Sequence, residues 1–215
     1  TLLSHEEELK LARLMEEGKR RIQNAVFKTP LAIPALIEVA KDLRKSKEKI
    51  CSIINSVPED QTELVERESK SFLDGVDTAV ELDRQRSQLL SEMLTVAPGS
   101  AGWVELQNEV EKIGEKIVKL FHNWIVCSEC VNAVAAGLED LSRRFRKVFV
   151  ELMSARDLES ISPTVELNSH EIEELVDRQL LGQSGIDHKS LKLALYEIEA
   201  GRDMAKYAKE ALVRA

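Results

Sequence analysis

The sequence predicts an all-α protein, a multi-helix bundle containing a long antiparallel helical hairpin. Three observations carry that expectation. The 215 residues include only nine Gly and five Pro and are dense in Leu, Glu, Lys, Arg and Ala, the strong helix formers. Apolar residues recur at spacings of three and four, and no run of useful length alternates with period two. Hydrophobic residues make up 43% of the chain, enough for one or two compact domains with a real core. The pattern predicts about six to eight helices and no sheet.

The first helix is announced by Ser4 with Glu7 three residues later, a capping box in which side chains satisfy backbone N–H groups that no helical turn can. Leu9, Ala12, Met15 and Ile22 then fall near one face. A second start is expected at Thr29-Pro30, because proline in a first turn gives up no needed N–H. Pro34 is expected to distort that turn. The basic run Arg44 to Lys49 fades into a loop at Ser56-Val57-Pro58. A third helix is predicted from about Glu63 to Leu94, ending before Ala97-Pro98-Gly99-Ser100, the clearest breaker in the chain.

From Trp103 through Leu106, Val110, Ile113, Ile117, Leu120, Trp124, Cys127, Val131, Val134, Leu138, Leu141, Phe145 and Val148 to Leu152 the spacings run as threes and fours, a heptad seam. One helix of that length would span about 75 Å, so two antiparallel helices packed side by side are expected. The break is placed near Val126 to Ser128, where Ser128 can cap the second helix. After Ser162-Pro163 a short helix from Ser169 is expected to stop at Gly182. Asp187 then caps a last helix, with Gly201 inside it as a possible bend.

Charge and motifs narrow the function classes. Net charge is −8, but residues 1–50 carry eleven Lys or Arg against eight Asp or Glu, whereas 51–96 carry four against ten. An acidic chain is a poor sequence-independent nucleic-acid binder, so any DNA contact must be local or lie elsewhere in a longer protein. No stretch approaches the roughly 20 apolar residues of a membrane span, no signal peptide opens the chain, and three cysteines do not suggest a secreted disulfide framework. The expectation is a cytoplasmic protein without a membrane partner. The start at Thr1 without Met and the end in KEALVRA without a stop signal read as an excised fragment.

Cys127-Ser128-Glu129-Cys130, with His122 nearby and Cys51 far off, offers one pair of ligands where structural zinc wants four, so no metal is expected and Cys127 reads as a small buried hydrophobe. Arg143, Arg144, Arg146 and Lys147 could grip phosphate but read as a solvated helix face. Trp103 and Trp124 read as core before surface anchors. No phosphate loop or catalytic motif is present, and His5, His122, His170 and His188 have no evident nucleophile beside them. No cofactor, small-molecule substrate or enzymatic role is expected.

Thr1 to Arg20, TLLSHEEELKLARLMEEGKR, resembles the pattern L-L-[ST]-x-E-x-E-x-x-L-A-x-x-x-E-x-G in the second part of conserved region one of bacterial primary sigma factors. TPLAIPALIEVA, Thr29 to Ala40, resembles the stretch that follows it. Ser184 to Ala215, SGIDHKSLKLALYEIEAGRDMAKYAKEALVRA, resembles the start of conserved region two, which in the family continues into Asn-Leu-Arg-Leu-Val. The resemblance implies three segments: the end of region one at 1–50, a variable, non-essential helical insert at 51–185, and a helix leading into region two at 186–215. It implies a subunit that binds the largest subunits of core RNA polymerase and directs them to promoters for transcription initiation, contacting promoter DNA through the intact parent. Lys10 and Arg13 are then candidates for the DNA side, and Arg202, Lys206 and Lys209 for the polymerase or DNA side. The alternative is a helical coiled-coil adaptor or signalling bundle, for which the long seam speaks.

Overall fold

The computed structural model describes residues 4–46, 48–55, 57–159 and 169–214, excepting the side chains of 155–159 and 169–170. The Ser162-Pro163 break lies outside the described residues. Eight helices and one two-residue ladder make up the described chain, an all-α bundle. Helix α1 (His5–Phe27) begins as its capping box demands: Ser4 Oγ accepts from Glu7 N at 3.3 Å, and Glu7 Oε2 accepts from Ser4 N at 2.8 Å. Those bonds from Ser4 hold the Glu7 carboxyl below its ordinary value.

Helix α2 (Ala32–Arg44) starts two residues after Pro30, so Pro34 takes its third position. N–H groups of the first turn have no intrahelical partner, and the missing one costs nothing there. The expected distortion is therefore absent. The short α3 (Ile50–Ile53) runs into β1 (Ile54–Asn55), and α4 (Thr62–Met93) matches its predicted span to within a residue at each end. Gly99 takes a positive φ of 73° in the breaker, and Ser100 Oγ then caps α5 (Ala101–Leu120) by accepting from Trp103 N at 3.2 Å.

The seam breaks where expected but pairs differently. After α5 the chain forms β2 (Ile125–Val126), which pairs antiparallel with β1, and α6 (Ser128–Glu159) begins at Ser128 itself rather than one residue after it. Two residues are too few to show alternation, so the sequence carries no strand signal there. Helices α5 and α6 scarcely touch; α5 instead folds back on α4, and α4–α5 is the long antiparallel hairpin of the fold. Helix α6 packs on α7 (Ser169–Ser184), α2, α8 (His188–Val213) and α1. Helix α7 runs past Gly182 to Ser184, and Gly185, with φ 70°, makes the left-handed turn against Pro30.

One hydrophobic core joins the segments 1–50, 51–185 and 186–215. At its centre Phe121 packs edge-on against Phe27 at 5.2 Å and Phe72 at 5.7 Å between ring centroids, and Phe72 meets Trp124 at 5.8 Å. Trp103 and Trp124 are both core residues, as expected. Trp124 Nε1 donates to Glu68 Oε2 at 2.8 Å, and this bond holds the Glu68 carboxyl below its ordinary 4.5. A lowered folded-state pKa contributes stability that is complete above about 4.5 and lost as pH falls through the lower folded value. In a Trp103→Phe background, Trp124 emission should therefore change in that acid window, and Glu68→Gln should abolish the change. An unaltered profile in the Gln variant would contradict the assignment.

Candidate functional site

Two of the three segments carrying the sequence resemblance, the first and the third, are packed on each other. Helices α1 and α8 lie antiparallel along most of their lengths, the most extensive helix pairing in the fold. The crossing point is glycine on glycine. A Cβ on Gly18 would sit 2.6 Å from Gly201 O and 2.9 Å from Ala205 N, and one on Gly201 would sit 2.7 Å from both Gly18 O and Ile22 Cγ1. Gly201 is thus a packing point within an uninterrupted helix, where the sequence alone predicts a bend. Asp187 caps α8 as predicted, its Oδ1 accepting from Ser190 N at 2.7 Å and its Oδ2 from Ser190 Oγ at 2.9 Å.

The candidate cations divide between two flanks of this pair. On one flank, the i, i+3, i+7 and i+11 spacing places Lys10, Arg13, Glu17 and Arg21 in a single stripe of α1. Arg21 Nε reaches Glu197 of α8 at 2.5 Å, and Glu17, Arg21, Asn24, Leu193 and Glu197 line a cleft of about 780 Å³ whose far wall is α5. Lys10 and Arg13 extend the stripe beyond the cleft, both exposed; Arg13 has no ion pair among the described residues. The other flank faces α6. There Arg202 Nη1 bonds Glu139 Oε1 at 2.6 Å, which ties α8 to α6, while Lys206 and Lys209 continue its stripe exposed and without an ion pair among the described residues.

Two buried polar side chains brace α1 against its neighbours. Arg86 is 1% exposed beneath the cleft, its Nη1 donating to Lys28 O at 2.8 Å and its Nε to Asp83 Oδ1 at 3.0 Å. Burial pulls its pKa down and Asp83 pulls it back up. Gln23, also 1% exposed, donates to Trp124 O at 3.0 Å and accepts from Val126 N at 2.7 Å, pinning the α5–α6 connection to α1. Neither residue is distinguishable in sequence from a surface polar group. Near the cleft mouth, Lys28 Nζ lies 3.7 Å from Glu115.

The remaining motifs resolve individually. Arg143 and Arg144 pair with Asp140 at 3.4 and 2.6 Å and Lys147 with Glu151 at 3.8 Å, all exposed on α6, so the basic cluster is a solvated helix face. His122 is exposed, with Nδ1 2.5 Å from Lys119 O. No three metal-ligating side chains converge among the described residues, and no described helix is long and apolar enough to cross a membrane. The pattern of α8 that sequence reasoning passed over is on its outer side. Leu193, Tyr196 and Tyr207 share one face there and are 55%, 62% and 65% exposed.

In comparisons with known proteins, no family model matches this chain and no curated protein matches it.

Proposed function

We propose that this chain is the part of a bacterial primary sigma factor running from late conserved region one through a helical insert to the start of region two, and that it acts in transcription initiation without being an enzyme. The observation that carries this reading is the α1–α8 clasp. The two segments that resemble conserved regions, with bonded side chains 176 residues apart, pack as one unit through glycines that leave no room for side chains. The described residues of 51–185 are mostly helical, and many of them share a core with α1 and α8, as befits an insert looped out of one conserved domain.

On this reading Lys10 and Arg13 face promoter phosphates, and the exposed Leu193, Tyr196 and Tyr207 face of α8 suits contact with protein, because exposed aromatics supply binding area at low entropic cost. Arg202 holds α8 to α6, leaving Lys206 and Lys209 as the cations of that flank available to a partner. The adaptor alternative drew on a seam packed against itself, and that seam is divided between helices that scarcely touch.

The test is a pair of titrations. The isolated chain should bind promoter and scrambled duplexes weakly and alike, whereas the parent protein with core polymerase should form salt-dependent, promoter-specific complexes. Tight, sequence-selective binding by the isolated chain would overturn the assignment. Lys10→Glu with Arg13→Glu in the parent should flatten the salt dependence of promoter binding by about 0.9 in log–log slope for each phosphate left without its cation. Core-polymerase affinity should be unchanged.

A further inference from the structure

Cys127 and Cys130 stand at the start of α6 in unlike surroundings. Cys127 immediately precedes the first helical residue, is half-buried, and opens on a cavity of about 570 Å³ shared with Asn55, Ile125, Ser128 and Glu129. Cys130, one turn on, is 7% exposed and belongs to the hydrophobic core. Helical geometry sets residues i and i+3 about 5 Å apart at Cα, inside the range of about 4.4–6.8 Å that a disulfide requires.

The backbone beneath the pair is held from two sides. Cys127 N donates to Ile53 O at 2.6 Å, and Val126 N donates to the buried Gln23 Oε1 at 2.7 Å. The α6 ladder starts at Cys127, whose carbonyl accepts from Val131 N at 3.4 Å. The first-turn N–H groups of α6 have no intrahelical partner. Burial and the neighbouring Cys127 push the Cys130 thiol up to about 12, so it keeps its proton. One sulfur is accessible and the other is buried beside it, an arrangement that separates the attacking from the resolving role. The third cysteine, Cys51, lies on α3 with its Sγ 3.9 Å from Glu59 Oε1.

We propose that Cys127 and Cys130 are an oxidation site, a dithiol that hydrogen peroxide converts to an intramolecular disulfide with Cys127 attacking and Cys130 resolving. The Cys127 thiolate sulfur attacks one peroxide oxygen; the O–O bond breaks, and the departing hydroxide takes up the proton that the thiol gave. The resulting sulfenic acid is attacked by the Cys130 sulfur, the S–O bond breaks, and the hydroxyl leaves as water with the Cys130 proton. In sum two thiols and one hydrogen peroxide give one disulfide and two waters, with two electrons passing from sulfur to oxygen. In a reducing compartment such a bond is transient, re-formed and removed by thiol exchange.

The experiment treats the folded chain with hydrogen peroxide, then counts free thiols and maps peptides by mass. Two of three thiols should disappear, and the peptide holding both Cys127 and Cys130 should lose the mass of two hydrogens, a loss reversed by dithiothreitol. Cys51→Ser should leave this result intact. Cys130→Ser should stop at a sulfenic acid on Cys127 that dimedone traps; should that buried substitution unfold the chain, Cys127→Ser, at the more exposed position, should instead remove the disulfide with helix content retained by circular dichroism. Persistence of all three thiols, a bond involving Cys51, or overoxidation of Cys127 without a disulfide in the unsubstituted chain would each overturn the proposal.

Discussion

Gly18→Val is expected to cost about 3 kcal/mol, which for a chain of this size lowers the melting temperature by roughly 6–12 °C. Two opposing effects decide the sign. Removing glycine from a helix interior gains up to about 1 kcal/mol in propensity. Against that, any Cβ at this position meets backbone, Gly201 O at 2.6 Å and Ala205 N at 2.9 Å, and backbone cannot rotate aside as a side chain can. The helices must separate, loosening the packing along both, so the steric cost exceeds the gain. Gly201→Val should behave alike, since its Cβ would meet Gly18 O. The double variant should cost less than the sum, because the first substitution already opens the gap the second needs. Thermal melts followed by circular dichroism check all three, and Gly18→Ala as stable as the parent would show that the helices do not cross here.

Phe121→Ala should cost about 3–5 kcal/mol in denaturant unfolding, the range for removing a fully buried aromatic ring. Its ring is 0% exposed and touches Phe27, Phe72 and Trp124, which belong to α1, α4 and the α5–α6 connection. A cavity there has walls from three elements, each fixed by other neighbours, so it cannot collapse cheaply. Phe145→Ala makes the comparison: that ring is half-buried and stacked on His188 at 4.3 Å, so its loss should cost clearly less. Equal costs would place the core elsewhere.

Local signals are legible in the sequence and long-range ones are not. Ser4 with Glu7 and Asp187 cap helices as read from the sequence, because a cap is decided within four residues. The seam from Trp103 correctly marks Ile113, Ile117, Val134 and Leu138 as buried. Spacing tells which face turns inward, however, and is silent on which helix lies opposite; hence the periodicity pairs α5 with α6, whereas α5 packs on α4. Gly182 reads in sequence as the stop of α7, yet the turn falls at Gly185, where the chain bends beside Pro30. For the site, the basic residues can be found one helix at a time. Their separation onto two flanks, and the diversion of Arg202 to Glu139, depend on the α1–α8 register and on α6, neither of which leaves a local trace.

The α1–α8 clasp also sets an order of events during synthesis. Arg21 meets Glu197 across 176 residues, and at about 5–20 residues per second a ribosome needs roughly 10–35 s to bring the second after the first. For that interval the inner face of α1, with Gly18 and Ile22, has no α8 to cover it, and an isolated helix of this length is only marginally stable in water. The hairpin of α4 and α5 closes over a short connection and meets its partner at once. Within these residues assembly should therefore begin with α4 and α5 and finish where α1 and α8 join, so that α1, although made before the helices it packs on, is locked after them.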